Sequence, residues 1–140
     1  MKTFLVICVL ALATPAILAR QMDRCSLVRE LYNLRVPRHQ LATWACIAER
    51  ESSFRTHVVG RNRDGSTSNG IFQLNDRYWC QPSNGKKSHN ICRTSCNDFL
   101  RNDISKSVRC AQKVLLNQGW SAWASGYSCI RNVPSIKNCF

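Results

Sequence analysis

Cysteine spacing constrains this 140-residue chain more than any other feature. Of its nine cysteines, Cys8 lies in an apolar N-terminal run. The other eight are Cys25, Cys46, Cys80, Cys92, Cys96, Cys110, Cys129 and Cys139. An even number in a short secreted chain implies a disulfide framework. Eight cysteines allow about a hundred pairings, and spacing alone does not choose among them. Zinc is the weaker reading: Cys92 and Cys96 resemble half a site, but no second Cys/His pair stands at metal spacing.

The N-terminus explains why Cys8 stands apart. Met1-Lys2 is a short basic start, Phe4 to Ala13 is apolar, and Ile17-Leu18-Ala19 is a plausible cleavage tail. The expectation is a signal peptide over 1–19, cleaved after Ala19, and one domain over 20–140. An uncleaved anchor or a core helix is the competing reading, but the apolar run is too short to span a bilayer. No other stretch is apolar enough to do so. The localisation expected is secreted and extracellular, and the remaining chain is long enough to bury a core that the bridges reinforce.

The formal charge is +12. A basic secreted protein is drawn to anionic surfaces such as bacterial walls, membranes or glycans. No dense basic run or recognition motif singles out nucleic acid. A monomer is expected.

Hydropathy patterning divides the domain. Residues 24–35 carry Leu27, Val28, Leu31 and Leu34 at helical spacing, ended by Val36-Pro37. Residues 40–51 carry Leu41, Trp44, Ala45 and Ala48 on one face, with Glu51 closing the helix. In residues 57–75, Val58-Val59 and Ile71–Leu74 look like short strands, while Asn62–Gly65 and Ser68-Asn69-Gly70 are turn formers. Residues 81–97 have little apolar content and read as a disulfide-held loop. Asp103 looks like the N-cap of a third helix carrying Ile104, Val108, Ala111, Val114 and Leu115. Residues 120–128 suggest a short fourth helix, and the tail from Ile130 is loop-like. Helices dominate and strands cluster in one place, so the fold class is α+β.

The stretch from Trp44 to Cys80 carries the chemistry. Its Trp44-Ala45-Cys46, Glu51-Ser52-Ser53-Phe54, Asn62–Thr67, Gly70–Asn75 and Trp79-Cys80 motifs, with Asp23-Arg24-Cys25 and Asp103-Ile104, closely resemble the c-type lysozyme and α-lactalbumin family. The resemblance covers residues 20–140 and includes all eight cysteines. It implies a lysozyme-like architecture, a helical lobe and a small antiparallel β lobe around a cleft. It also implies the bridges Cys25–Cys139, Cys46–Cys129, Cys80–Cys96 and Cys92–Cys110.

The family activity is hydrolysis of β-1,4-linked amino-sugar glycans, muramidase action on peptidoglycan. Lysozyme is the type case of a retaining mechanism in which one carboxyl protonates the leaving oxygen and a second, about 5 Å away, acts as nucleophile. Glu51 matches the general acid, and Trp123 matches the tryptophan that shields it from water. A solvated helix-end glutamate is the bland alternative for Glu51. The second carboxylate position falls on Ser68, a degenerate nucleophile position, because a neutral hydroxyl does not offset an oxocarbenium charge. Asp64 is the nearest acid in sequence, but Asp64-Gly65 reads as a turn in which Asp serves the backbone. Asp76 is weaker still, because it alternates away from Asn75.

Substrate-binding expectations rest on the same resemblance and on strand alternation. Gln73 and Asn75 alternate with Phe72 and Leu74, which places the polar pair on one face. Tyr78 and Trp79 offer flat surfaces for sugar rings, although Trp79 and Trp123 also suit plain core packing. Asn62, Ala122 through its backbone, and Trp123 complete the implied set. Gly126 falls near a position where family members often carry tryptophan, with local spacing one residue short.

No cofactor is expected. The loop matching the α-lactalbumin calcium site has Arg101, Lys106 and Ser107 where hard oxygen ligands are needed, and Asp103 alone fits, so no calcium is expected. Three readings follow. The first is a secreted protein that binds peptidoglycan or related amino-sugar oligosaccharides, with hydrolysis lost or strongly reduced. The second is an active antibacterial or digestive lysozyme using Glu51 and a water. The third is a noncatalytic cationic bacterial-surface or cell-recognition protein.

Overall fold

The computed structural model describes residues 8–9 and 20–140; the expected signal peptide lies almost wholly outside them. Four α-helices and a three-stranded sheet are present among the described residues: α1 (Arg24–Asn33), α2 (Leu41–Ser52), β1 (Val59–Arg61), β2 (Thr67–Asn69), β3 (Leu74–Asn75), α3 (Ser105–Gln118) and α4 (Gly126–Arg131). The α+β class holds. No described helix is long and apolar enough to cross a membrane.

The helices follow their apolar stripes. Leu27, Val28 and Leu31 of α1 are buried, whereas Leu34 lies just past its end and is exposed; Asp23 caps its start by accepting from Ser26 N at 2.8 Å. The helix ends before Pro37 through backbone geometry. Arg35 turns left-handed (φ 67°), Arg35 N donates to the Tyr32 carbonyl, and Val36 N donates to that of Leu31. This pair of bonds satisfies carbonyls that the helix end leaves open. The core gathers Trp44, Leu41 and Ile47 of α2 with Phe72, Phe99, Ile104 and Val108. Trp44 packs edge-on against Phe72, Trp120 and Trp123 at centroid distances of 5.1, 4.8 and 5.1 Å, a geometry aromatic quadrupoles favour.

The four disulfides are Cys25–Cys139, Cys46–Cys129, Cys80–Cys96 and Cys92–Cys110. They are the pairs implied by the family resemblance. They suit an oxidising, extracellular setting.

The sheet departs from the sequence reading. Ser68 and Asn69 form the middle strand rather than a turn: β2 pairs antiparallel with β1, Gly60 facing Ser68, and with β3, Ser68 facing Asn75. Conversely, Ile71 and Phe72 lie in turns and not in a strand. They are apolar because they are buried in the core. Gln73 has φ 51° and also sits in that turn. The period-two argument for Gln73 and Asn75 therefore does not apply, although both reach one cavity. Gly70 links β2 to this turn at φ 77°, where a methyl group would overlap the Phe99 carbonyl. Only glycine suits both constraints.

Smaller boundaries also shift. Helix α3 starts at Ser105, and Asp103 still serves its end by accepting from Ser105 N at 2.9 Å. The fourth segment splits into a 3-10 turn (Trp120–Ala122) and α4, and the tail holds another 3-10 turn over Lys137–Cys139.

Candidate active site

Glu51 sits in the last turn of α2, where the chain reverses sharply. Ser53 and Phe54 both adopt left-handed backbone (φ 52° and 60°). Ser53 N donates to the Glu49 carbonyl, and Phe54 N to that of Ala48. Two consecutive non-glycine residues in this region are uncommon and persist only where their surroundings hold them. Here the hold is the buried Ser52, whose hydroxyl lies 2.9 Å from the Ala48 carbonyl and 2.8 Å from that of Ile71. One hydroxyl thus ties the end of α2 to the turn entering the β lobe, immediately beside Glu51.

A cavity of about 330 Å³ opens there. Glu51, Asn62, Ser68, Gln73, Asn75, Ala122 and Trp123 line it, with Asp64, Ser66 and Ala124. The tertiary structure therefore brings Glu51 and Ser68 to one cavity. Trp123 is buried, and its indole N–H donates to the Phe72 carbonyl at 2.8 Å. That bond fixes the ring between core and cleft, so the packing and cleft-lining readings both apply. Trp79 is buried and lines a smaller adjoining cavity that shares Gln73, Asn75, Ala122 and Trp123 with the first. Tyr78 reaches neither cavity; it is exposed and stacks parallel to His89 at 5.8 Å.

The polar wall is one hydrogen-bonded network. Asn62 Nδ2 donates to Ser66 Oγ at 3.0 Å and to Ser68 Oγ at 3.1 Å. Asn75 Nδ2 also donates to Ser66 Oγ at 3.0 Å. Ser66 Oγ in turn donates to Asp64 Oδ1 at 2.6 Å. Ser66 so uses its full capacity, one donated and two accepted bonds. Gln73 spends its amide protons on the carbonyls of Val58 and Gly70, at 3.1 and 3.0 Å. Its amide N–H group therefore braces the lobe, and its remaining oxygen alone is available to a ligand.

Neither nearby acid stands free. Asp64 Oδ1 also accepts from Ser66 N at 2.9 Å, and Oδ2 pairs with Arg77 at 3.0 Å. The Ser66 hydroxyl and amide, with Arg77, hold the Asp64 carboxyl below its usual range, so it is ionised but engaged. Asp76 is buried and accepts from Thr67 N and Thr67 Oγ1 at 3.1 and 2.9 Å, which braces β2. Asp76 lies in the turn after β3, so strand alternation is not what removes it from the cleft.

Two contributions were not visible in sequence. Ser125 donates to Glu51 Oε1 at 2.8 Å across 74 positions. Gly126 packs so closely that a methyl group would overlap the Trp120 carbonyl. Close backbone packing therefore accounts for the glycine at this position.

The loop over residues 98–107, which matches the α-lactalbumin calcium site, holds two acids, Asp98 and Asp103, and two bases, Arg101 and Lys106. Asp98 Oδ2 lies 3.2 Å from Lys106 Nζ and accepts from Thr94 Oγ1 at 2.6 Å, while Asp103 Oδ1 accepts from Ser105 N at the start of α3. The carboxylates of Asp98 and Asp103 are thus already engaged within the protein.

The family profile for C-type lysozyme/alpha-lactalbumin matches residues 20–139. Lysozyme X of Drosophila melanogaster is 62% identical over 141 residues, covering 100% of this chain and 99% of that relative. Lysozyme 1 of Musca domestica is 52% identical over 142 residues, with 100% of both chains covered. Among solved structures, wild-type canine milk lysozyme in its apo form superposes with a TM-score of 0.75 at 35% identity, covering 81% of this chain and 92% of that one. A lysozyme from Litopenaeus vannamei gives a TM-score of 0.73 at 34% identity, covering 81% and 90%. With its cleft, its disulfides and these relatives in agreement, the chain belongs to the C-type lysozyme/alpha-lactalbumin family.

Proposed function

We propose that this is a secreted, lysozyme-like protein that binds peptidoglycan or related β-1,4-linked amino-sugar glycans in the Glu51 cleft, with hydrolysis strongly reduced. The observation that carries the reading is the neutral Ser68 hydroxyl in a cavity whose other carboxylate besides Glu51, Asp64, has both oxygens engaged. Glu51 supplies a proton donor for the leaving oxygen. Formation of a glycosyl ester needs a free carboxylate, and Ser68 does not provide one. The network of Asn62, Ser66, Ser68 and Asn75 offers hydroxyl and amide groups suited to sugar hydroxyls, beside the flat Trp123 ring. Its place is extracellular, after removal of residues 1–19, and its role lies in antibacterial recognition as a monomer.

Lysis of peptidoglycan by the natural protein, Ser68→Asp and Glu51→Gln tests this. The natural protein is expected to bind walls and to lyse them about 100-fold more slowly than Ser68→Asp. Equal rates for natural protein and Ser68→Asp, both abolished by Glu51→Gln, overturn the reading in favour of an active lysozyme. In that case an inverted product anomer identifies direct attack by a water held at Ser68. Wall binding that survives both substitutions and disappears at high salt favours a purely cationic mode.

A further inference from the structure

A second concavity lies apart from the Glu51 cleft and shares no lining residue with it. It measures about 530 Å³. The Cys92–Cys110 bridge and Leu116 give it an apolar lining. Leu116, in the last turns of α3, is 88% exposed.

Cations surround this apolar surface. On α3, Lys106, Arg109, Lys113 and Leu116 recur at spacings of three and four residues, so they share one face. Arg93 faces them from the disulfide-held loop, with its backbone left-handed at φ 52°. That conformation is held locally. Arg93 N donates to the Asn90 carbonyl, and Asn90 Oδ1 accepts from Thr94 N. The nearby acids are Asp98, which pairs with Lys106 and Arg101, and Asp103, beside Arg109 and Arg101 at the start of α3. Among the described residues, no ion pair within 4 Å is recorded for Arg93, Arg109 or Lys113. Lys113 donates only to the Ile91 carbonyl, at 3.2 Å.

Cations alone suit any polyanion, but a lining of a disulfide and a leucine, with no aromatic ring on which a sugar could stack, adds nothing for a hydrophilic phosphate or a sugar chain. A concave groove also suits one chain rather than a flat bilayer. We propose that this groove binds one molecule of a single-chain anionic amphiphile. The chain lies along the Cys92–Cys110 bridge and Leu116, and the head group sits among Arg93, Arg109 and Lys113.

Calorimetry and amide NMR with the mature protein test this, using dodecyl phosphate below its micelle concentration as the probe. Inorganic phosphate and dodecyl maltoside separate the contributions of charge and chain. The expected result is one site, at least about tenfold tighter for dodecyl phosphate than for either control, and weakened by salt. Arg109→Gln combined with Lys113→Gln is expected to weaken binding about tenfold or more, and Leu116→Gln to weaken it independently. These side chains are exposed, and an unchanged thermal midpoint verifies that each variant is folded. Glu51→Gln is expected to leave this binding intact, which separates it from the glycan site. Equal binding of inorganic phosphate, indifference to the double substitution, or uptake only above the micelle concentration would each overturn the proposal.

Discussion

Ser125 Oγ donates a 2.8 Å hydrogen bond to Oε1 of Glu51, joining the residue before α4 to the last turn of α2. The hydroxyl orients one carboxylate oxygen while the buried Ser52 fixes the backbone beside it. Both side chains of the Glu51–Ser125 pair are partly buried, so the bond is worth about 1 kcal/mol. Ser125→Ala is therefore expected to lower the unfolding free energy by about that amount in urea titration. In a Ser68→Asp background it should also lower the lysis rate at saturating substrate. An unchanged rate would show that Glu51 is oriented without Ser125.

Gly126→Ala forces a methyl group into the Trp120 carbonyl. Rigid backbone on both sides leaves little room for adjustment. A loss of about 3 kcal/mol or more in unfolding free energy is expected. Trp120 and Trp123 both pack on Trp44, so a changed tryptophan fluorescence spectrum should accompany it.

Acid weakens the fold through particular carboxylates. The hydrogen bonds to Ser66 and the charge of Arg77 lower the pKa of Asp64. The Thr94 hydroxyl and Lys106 do the same for Asp98. A depressed folded-state pKa means that the unfolded chain binds protons first as pH falls. The stabilisation is thus complete above about pH 4 and is lost as pH drops through the folded-state values. The denaturant midpoint should fall as pH drops below about 4, and fall less in Asp64→Asn. An equal drop in the variant would remove Asp64 from this account.

Calcium should leave the thermal midpoint unchanged. Lys106 already neutralises Asp98, and Arg101 adds a second cation to the same loop. Calorimetric scans with calcium and with chelator measure this directly. A rise of several degrees with calcium would contradict it.

Much of the fold was legible because regular elements print their burial on the sequence. Leu27, Val28 and Leu31, and Leu41, Trp44, Ala45 and Ala48, repeat at the helical period and form the buried faces of α1 and α2. The β lobe was not legible in that way. Its middle strand, Thr67-Ser68-Asn69, is short, polar and rich in residues that also form turns. The apolar Ile71 and Phe72 mimic a strand but fill the core from a turn.

By itself, the sequence determined the cysteine set, the helical stripes, the α+β class and the presence of Glu51 and Ser68 in recognisable motifs. These are properties of residue identity and local spacing. Only the tertiary structure decided that Asp64 is engaged by Ser66 and Arg77, that Gln73 spends its amide protons on backbone, and that Ser125 holds Glu51. Hydrogen-bond geometry depends on where distant segments cross and on which lone pairs and protons remain unused there, and no linear period records that.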